Sequence, residues 1–300
     1  MNSPNRTLAA AGAILIYATI IGYIDNFVRG ISEQIGLWQF QAMRSVLALA
    51  AFGLAAWPLA LRLRPLNLRA VLARSVVHSS AMMMYFGSLA FLSVAQAAAG
   101  LFTAPLFVLI LSRFVYGHAL GPVRIVAALV GFAGVLLVLS PDGGALSPAF
   151  ILPLGAGALY GLGNLATREW CEGESAATLT MWYVGVIGVM GGIGMVALML
   201  VAPVAAAGAD GFLMRGPVWP TGATVFWTAV QAIGSVVGVG LMVRAYQLAE
   251  ASRVSVFEYV ILPLSAGWSW LLWGQTITPM SGFGMALIVV AGAMIAARGR

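Results

Sequence analysis

Residues 101–122, LFTAPLFVLILSRFVYGHALGP, and residues 259–279, YVILPLSAGWSWLLWGQTITP, decide the fold. Tyr116-Gly117-His118 followed by Pro122 matches Trp273-Gly274-Gln275 followed by Pro279 at a constant offset. Pro105 lies twelve residues before Gly117, and Pro263 lies eleven before Gly274. Ahead of these prolines, Ser93-Val94-Ala95 resembles Ser252-Arg253-Val254. Further out, Gly134 corresponds to Gly292, and Asn26 pairs with Asn164. Each match is weak alone in a chain with 36 Gly, but the shared order indicates that the chain contains its own half twice. The halves fall at 1–145 and 146–300.

The chain is 61% hydrophobic and 8% charged, with a mean hydropathy of +0.98. A soluble domain is roughly 45–50% apolar and about 25% charged. So few charges cannot cover a soluble globule of 300 residues, so lipid is the main solvent. A membrane helix needs about 20 mostly apolar residues. Ten stretches qualify: Leu8–Val28, Leu37–Leu61, Val71–Leu92, Ala95–Phe114, Val123–Ser140, Ile151–Trp170, Thr178–Val201, Thr224–Leu248, Val254–Trp273 and Met280–Ala297. The turn Pro141-Asp142-Gly143-Gly144 closes the fifth, and the longest linker, about 202–221, carries Pro203, Pro217 and Pro220. Five spans per half is odd, so the second half enters the membrane upside down. The expected fold is an all-α polytopic membrane protein of ten transmembrane helices in two inverted five-helix repeats, the usual construction of secondary transporters.

All 15 basic residues are Arg, and they are dealt out singly, not clustered as nucleic-acid binding requires. With the N-terminus cytoplasmic, twelve fall on the inner side: Arg6, Arg62, Arg64, Arg69, Arg74, Arg113, Arg124, Arg168, Arg244, Arg253, Arg298 and Arg300. Only Arg29 and Arg215 fall outside, and Arg44 lies within the second span. This bias puts both termini in the cytoplasm and the protein in the cytoplasmic (inner) membrane. The apolar run from Leu8 is too long for a signal h-region and reads as the first span. The single cysteine, Cys171, forms no internal disulfide and reads as a small apolar residue.

At this point the residues resemble the drug/metabolite transporter superfamily of the EamA type. The resemblance rests on ten spans in two halves with Pro in the fourth and ninth, on Phe40 and Arg44 one turn apart, and on Gly131, Gly134 and Val135. Its clearest part is Ala249–Gln275, with Val256-Phe257-Glu258-Tyr259 and then Trp273-Gly274 six residues beyond Gly267. The family commonly has Glu after the aromatic-Gly step, where this chain has His118 and Gln275, so an ionic role of that Glu is absent here. Members include YddG-type amino-acid exporters and importers of S-adenosylmethionine and other metabolites. The resemblance therefore implies a carrier of small molecules and allows either direction.

Ionisable groups inside spans are costly and face protein or a water-filled cavity. Glu258 reads as a cavity carboxylate for a substrate ammonium or a proton, or equally as an ion-pair partner of Arg244 or Arg253. Arg44 reads as structural, bonding carbonyls or Asp25, and Asp25 as a rim residue. His78 reads as a hydrogen-bonded interior residue or a proton relay. On the third span His78, Met82 and Tyr85 share a face. On the sixth, Tyr160 and Asn164 do so, as do Gln231 and Ser235 on the eighth, and Asn26 stands opposite Asn164 by the pseudo-symmetry. With Glu258 and its neighbour Tyr259, these residues form the expected substrate site. For each one, interhelical bonding or packing is at least as good a reading. Pro105 and Pro263, mid-helix at matching places, are the expected hinges, with ordinary kinks as the alternative. Gly157/Gly161, Gly188/Gly192 and Gly234/Gly238 read as packing surfaces.

No phosphate loop, paired metal-ligand motif or Cys–His pair is visible, so neither a cofactor, a metal nor an enzymatic activity is expected. The expected function is secondary transport of small amphipathic metabolites by alternating access, amino-acid export first. Uptake of a larger metabolite such as S-adenosylmethionine or a vitamin is the alternative. A non-transporting intramembrane enzyme or a partner-binding subunit is the reading from another class. The expected partners are a small-molecule substrate, the lipid bilayer and a coupling proton, with one chain sufficient as a monomer.

Overall fold

The computed structural model describes residues 4–88, 92, 94–138, 151–201, 204–274 and 277–297. Ser93, the Pro141–Gly144 turn, the 145/146 boundary, Pro203, Gln275, Arg298 and Arg300 lie outside the described residues, as does the side chain of Arg29. Every regular element among the described residues is helical. In chain order they are α1 (Pro4–Asp25), α2 (Val28–Ser32), α3 (Leu37–Ala56), α4 (Leu68–Ser88), α5 (Val94–Leu101), α6 (Ala104–Phe114) and α7 (Pro122–Val138). Then follow α8 (Ile151–Glu169), α9 (Ala176–Val201), α10 (Gly222–Leu248), α11 (Ala251–Phe257), α12 (Ile261–Trp273) and α13 (Pro279–Ala297). The four stretches Arg6–Ser32, Ala176–Val201, Gly222–Leu248 and Ala251–Trp273 are each long and apolar enough to cross a membrane. The chain is an all-α polytopic membrane protein.

These helices form the ten expected units, with α2 a short appendage of the first. The fourth unit is the pair α5 and α6, and the ninth is α11, a 3-10 turn at Glu258–Val260, and α12. Their packing has an internal exchange. Unit one packs on unit eight (α1 on α10), and unit six packs on unit three (α8 on α4). Unit eight lies beside unit two and unit three beside unit seven; unit one meets unit nine and unit six meets unit four. The pairs two with seven, five with ten, and four with nine map onto themselves. Adding five to each unit therefore returns the same principal pairs, while α10 also packs on α8 and α9 without a counterpart of that size.

The prolines correct one expectation. They do not kink continuous helices; each stands in the first turn of a second half-helix. Pro105 follows Ala104, the first residue of α6, and Pro263 is the third residue of α12. A first-turn N–H has no intrahelical acceptor, so proline's missing donor costs little there, whereas in mid-helix it would cost about 3 kcal/mol. Each chain breaks just ahead of its proline. At the first break the Thr103 Oγ1 donates to the Gly100 carbonyl at 2.6 Å. At the second, the Ile261 N–H is shared between the Glu258 and Tyr259 carbonyls.

Close backbone approach explains part of the glycine pattern. A Cβ on Gly157 would lie 2.5 Å from Thr103 Oγ1 and 2.6 Å from the Gly100 carbonyl, so only glycine lets α8 sit on the broken unit. Gly161 packs there too, and Gly234 and Gly238 receive isoleucine side chains of α1. Gly192 meets nothing; its partner Gly188 packs against Ser45 with Gly191 instead.

The two ends of the bundle are tied differently. At the Arg-poor end Leu37 N–H donates to the Phe212 carbonyl at 2.7 Å, and Arg215 donates to the Ser32 carbonyl at 2.8 Å. Gln39 and Val218 bond each other reciprocally, side chain to backbone, at 2.6 and 3.0 Å. At the Arg-rich end the Glu174 carboxylate accepts from the Leu66 and Asn67 N–H groups at 2.6 and 2.8 Å. Arg74, expected among the loop arginines, is instead fully buried, donating to Thr167 Oγ1 at 3.0 Å and the Leu179 carbonyl at 3.3 Å.

Candidate functional site

A cavity of about 890 Å³ lies between the two halves, bordered by α1, α4, α5, α8, α10 and α12. It reaches Ser32 and Glu33 at the Arg-poor end. Its walls are strongly aromatic: Tyr17, Tyr85, Phe86, Phe102, Tyr160, Tyr183 and Trp273. Met82 and Met242 add polarizable surface, and Asp25, Arg44 and His78 add charge or hydrogen-bonding edges.

Six of the expected site residues line this cavity: Asn26, His78, Met82, Tyr85, Tyr160 and Ser235. Asn26 is partly committed, because its amide donates to the Gly22 carbonyl at 2.6 Å and accepts from Ser269 at 2.5 Å, joining α1 to α12. His78 lies between the rings of Tyr160, tilted against it, and Tyr183, edge-on to it, each 5.0 Å away, with Nδ1 unbonded.

The other four stand behind the wall. Gln231 donates to the Ile24 carbonyl at 2.9 Å and to Asp25 Oδ1 at 3.1 Å, so it positions Asp25 and does not face the cavity. Tyr259 is fully buried with its ring against Gly131 of α7. Asn164 donates to Tyr246 Oη at 3.2 Å and to Glu258 Oε1 at 3.5 Å. Glu258, 3% exposed, also lies beside the hydroxyls of Tyr160 and Tyr246. The ion pairs considered for it are not formed: Arg253 faces Glu250 at 3.7 Å, and Arg244 pairs with no described acidic residue. Its break in the ninth unit supplies the reason. The carboxyl leaves the helix at the 3-10 turn, where neighbouring units present only neutral donors.

A second cavity, of about 820 Å³, lies at the Arg-rich end and is lined by Ser112, His118, Arg124, Thr167, Arg168 and Cys171 among others. The two cavities share no lining residue. Along α8, Tyr160 borders the first and Leu165 and Thr167 the second; along α10, Met242 borders the first and Arg244 and Gln247 the second. The Asn164, Tyr246 and Glu258 cluster therefore forms a septum about one helical turn thick. Below it, α6 packs against α11, and Arg124 pairs with Glu250 and donates to Ser252 Oγ at 3.0 Å. His118 approaches Glu169 at 3.7 Å. Above it, α5 and α12, the corresponding half-helices, both border the large cavity. Burial pushes the Cys171 thiol up to about 11, with Arg74 opposing and Glu174 adding to the shift.

Residues that sequence reasoning set aside are central here. Tyr17, Ile21 and Asp25 recur at four-residue spacing on α1 and all line the cavity, a signal present in the sequence. Arg44 faces it too, 6% exposed, with its guanidinium 5.3 Å from the Phe40 ring centre and 5.6 Å from that of Phe86.

Residues 8–140 match the EamA-like transporter family. Among similar proteins is a riboflavin transporter of Rhizobium johnstonii, 28% identical over 75% of this chain and 68% of that protein. A riboflavin transporter of Vibrio cholerae is 28% identical over 67% of this chain and 61% of its own length. The pseudopaline exporter CntI of Pseudomonas aeruginosa is 24% identical over 74% of this chain and 72% of its own. A solved crystal structure superposes with a TM-score of 0.77 over 98% of this chain and 99% of that one, at 18% identity, which shows the fold.

Proposed function

We propose, for a chain that belongs to the EamA-like transporter family through residues 8–140, that it is an uptake carrier for a vitamin-sized heteroaromatic metabolite, riboflavin first. The observation that carries this reading is the 890 Å³ cavity with seven aromatic side chains in its walls. Its volume lies high in the roughly 300–1,000 Å³ range of sites for drug-sized ligands. A single amino acid, the first expectation, would leave most of it to water. A flat ring system would stack on these walls, each well-placed aromatic contact adding about 0.5–1.5 kcal/mol. Relatives named riboflavin transporter support the same class of cargo.

The mechanism we favour is alternating access between two inverted halves. With the Arg-rich end in the cytoplasm, the large cavity faces outward, and the Arg124–Glu250 pair ties α7 to the start of α11 at the inner side. Substrate enters between α5 and α12 and rests on Tyr17, Tyr160 and the septum. Rotation about the breaks ahead of Pro105 and Pro263 then separates α6 from α11 while α5 closes on α12. This exchange follows from the pseudo-symmetry, because each half-helix pair is the counterpart of the other. Glu258 is the group in the septum that a coupling proton would visit. One chain contains the whole cavity, so a monomer suffices.

The test is uptake of riboflavin, followed by its fluorescence, into proteoliposomes with and without an imposed pH gradient. Saturable uptake, competed by unlabelled flavin and not by amino acids, is the expected result. Uptake competed by amino acids alone would sink the reading.

A further inference from the structure

Arg44 brings to the cavity donors that its described neighbours leave unused. It is 94% buried by its 6% exposure, lines the large cavity, and makes no hydrogen bond or ion pair to any described residue. Only the Phe40 and Phe86 rings hold it, by cation–π contact. A guanidinium carries five N–H donors, and burying them unpaired is costly unless something in the cavity accepts them. The aromatic flanks fix the position of the fork without using its donors.

Asp25 borders the same cavity within the electrostatic reach of Arg44, yet the two form no direct ion pair. Gln231 holds Asp25 from behind at 3.1 Å, and Gln231 is itself anchored on the Ile24 carbonyl. The site thus presents a donor and an acceptor, each held by its own neighbours, within electrostatic reach of one another in one aromatic-walled cavity. An isolated anion would satisfy Arg44 but would be repelled by Asp25. A neutral carbonyl flanked by an N–H satisfies both.

We infer that Arg44 and Asp25 together recognise the imide edge of a planar heteroaromatic ring, the carbonyl accepting from Arg44 and the ring N–H donating to Asp25. This deepens the proposed function and rests on it for the ring system, though the recognised edge is common to several fused-ring imides. Riboflavin carries such an edge at N3, so the inference separates it from ring systems of similar size that lack one.

The experiment is equilibrium binding to the full chain in detergent, comparing riboflavin, 3-methylriboflavin and the smaller imide lumazine. Methylation of N3 removes the donor and should weaken wild-type binding by about tenfold or more. Asp25→Ala should weaken riboflavin by a similar factor while leaving the methylated analogue unchanged, so the two ligands converge. Arg44→Gln should weaken both, and Arg44→Lys should restore only part. A merely structural role for either residue would lower all ligands equally and leave the methyl discrimination intact. Riboflavin bound without discrimination at N3 overturns the inference and leaves the proposed function standing. Lumazine bound with discrimination, and riboflavin not bound, keeps the subsite and removes riboflavin as cargo. Binding of no imide by folded protein overturns both.

Discussion

Tyr17 of α1 and Tyr160 of α8 meet hydroxyl to hydroxyl at 3.3 Å, although 143 residues separate them. They stand on the first helices of the two halves, and Tyr160 also donates to Met242 Sδ at 2.9 Å. Behind them Asn164, Tyr246 and Glu258 close the way to the second cavity. A septum built from side chains of both halves has to come apart if cargo is to pass.

Glu258→Gln is therefore expected to impair movement more than binding. Its carboxyl accepts from the Asn164 amide at 3.5 Å, and an amide in its place can turn N–H groups toward that donor. Mismatching a buried hydrogen bond costs about 1–3 kcal/mol, roughly a 5- to 150-fold change. Transport rate should fall within that range, while riboflavin affinity in detergent stays within about threefold. Unaltered counterflow by the variant would remove Glu258 from the pathway.

Gly157→Leu should destabilise the fold, because even its Cβ would lie 2.5 Å from Thr103 Oγ1. Overpacking of this kind costs about 1–3 kcal/mol or more. The melting temperature in detergent should drop by several degrees. Gly192→Ala, where the added Cβ meets nothing within 4 Å, should melt like the parent. Equal melting of both variants would contradict the close seat of α8 on the broken unit.

Cys171 lines the second cavity and reports on its opening. Because burial raises its thiol to about 11 from 9.0, the thiolate fraction at pH 8 is about 100-fold below that of a thiol titrating near 9, a factor of ten for each unit. Maleimide labelling should therefore keep rising through pH 10 instead of levelling near 9. Arg124→Ala removes the ion pair to Glu250 and should speed labelling at fixed pH by favouring the state open at that end. The double exchange Arg124→Glu with Glu250→Arg should slow it again. Labelling that levels near pH 9 and ignores Arg124 would contradict a closed second cavity.

Pro105→Ala and Pro263→Ala each supply an N–H that can bond the carbonyl four residues earlier, on Leu101 and Tyr259. Joining the half-helices stiffens the breaks, so transport should slow by about tenfold with binding preserved, the direction opposite to the usual gain in helix propensity. Full transport by both variants would remove the breaks as hinges.

Much of the fold was legible because a spanning helix is a long apolar run, which a reader can see without knowing its neighbours. The expected span Thr224–Leu248 differs from α10 by two residues at its start, and Leu37–Leu61 outruns α3 by five at its end. The breaks were harder to place. Pro105 and Pro263 are visible, but proline prefers the first turn of a helix, so the chain opens ahead of it and not at it. The site was only half legible for a different reason. Lipid and protein interior are both apolar, so helices such as α1 carry no polar stripe to show which face is buried. Asp25 thus reads as a rim residue, and the four-residue spacing from Tyr17 gains its meaning only when α10 and α12 give α1 a direction. Arg44 looked structural because a buried arginine usually finds acceptors, and here the rings of Phe40 and Phe86 supply none.

The most direct test of the central claim is counterflow in proteoliposomes, with the vesicles preloaded with unlabelled riboflavin and labelled riboflavin supplied outside. A carrier for a vitamin-sized ring should give transient accumulation of label above equilibrium, abolished in empty vesicles and slowed by Glu258→Gln. No overshoot with riboflavin from folded protein, together with an overshoot for a preloaded amino-acid mixture, would contradict it.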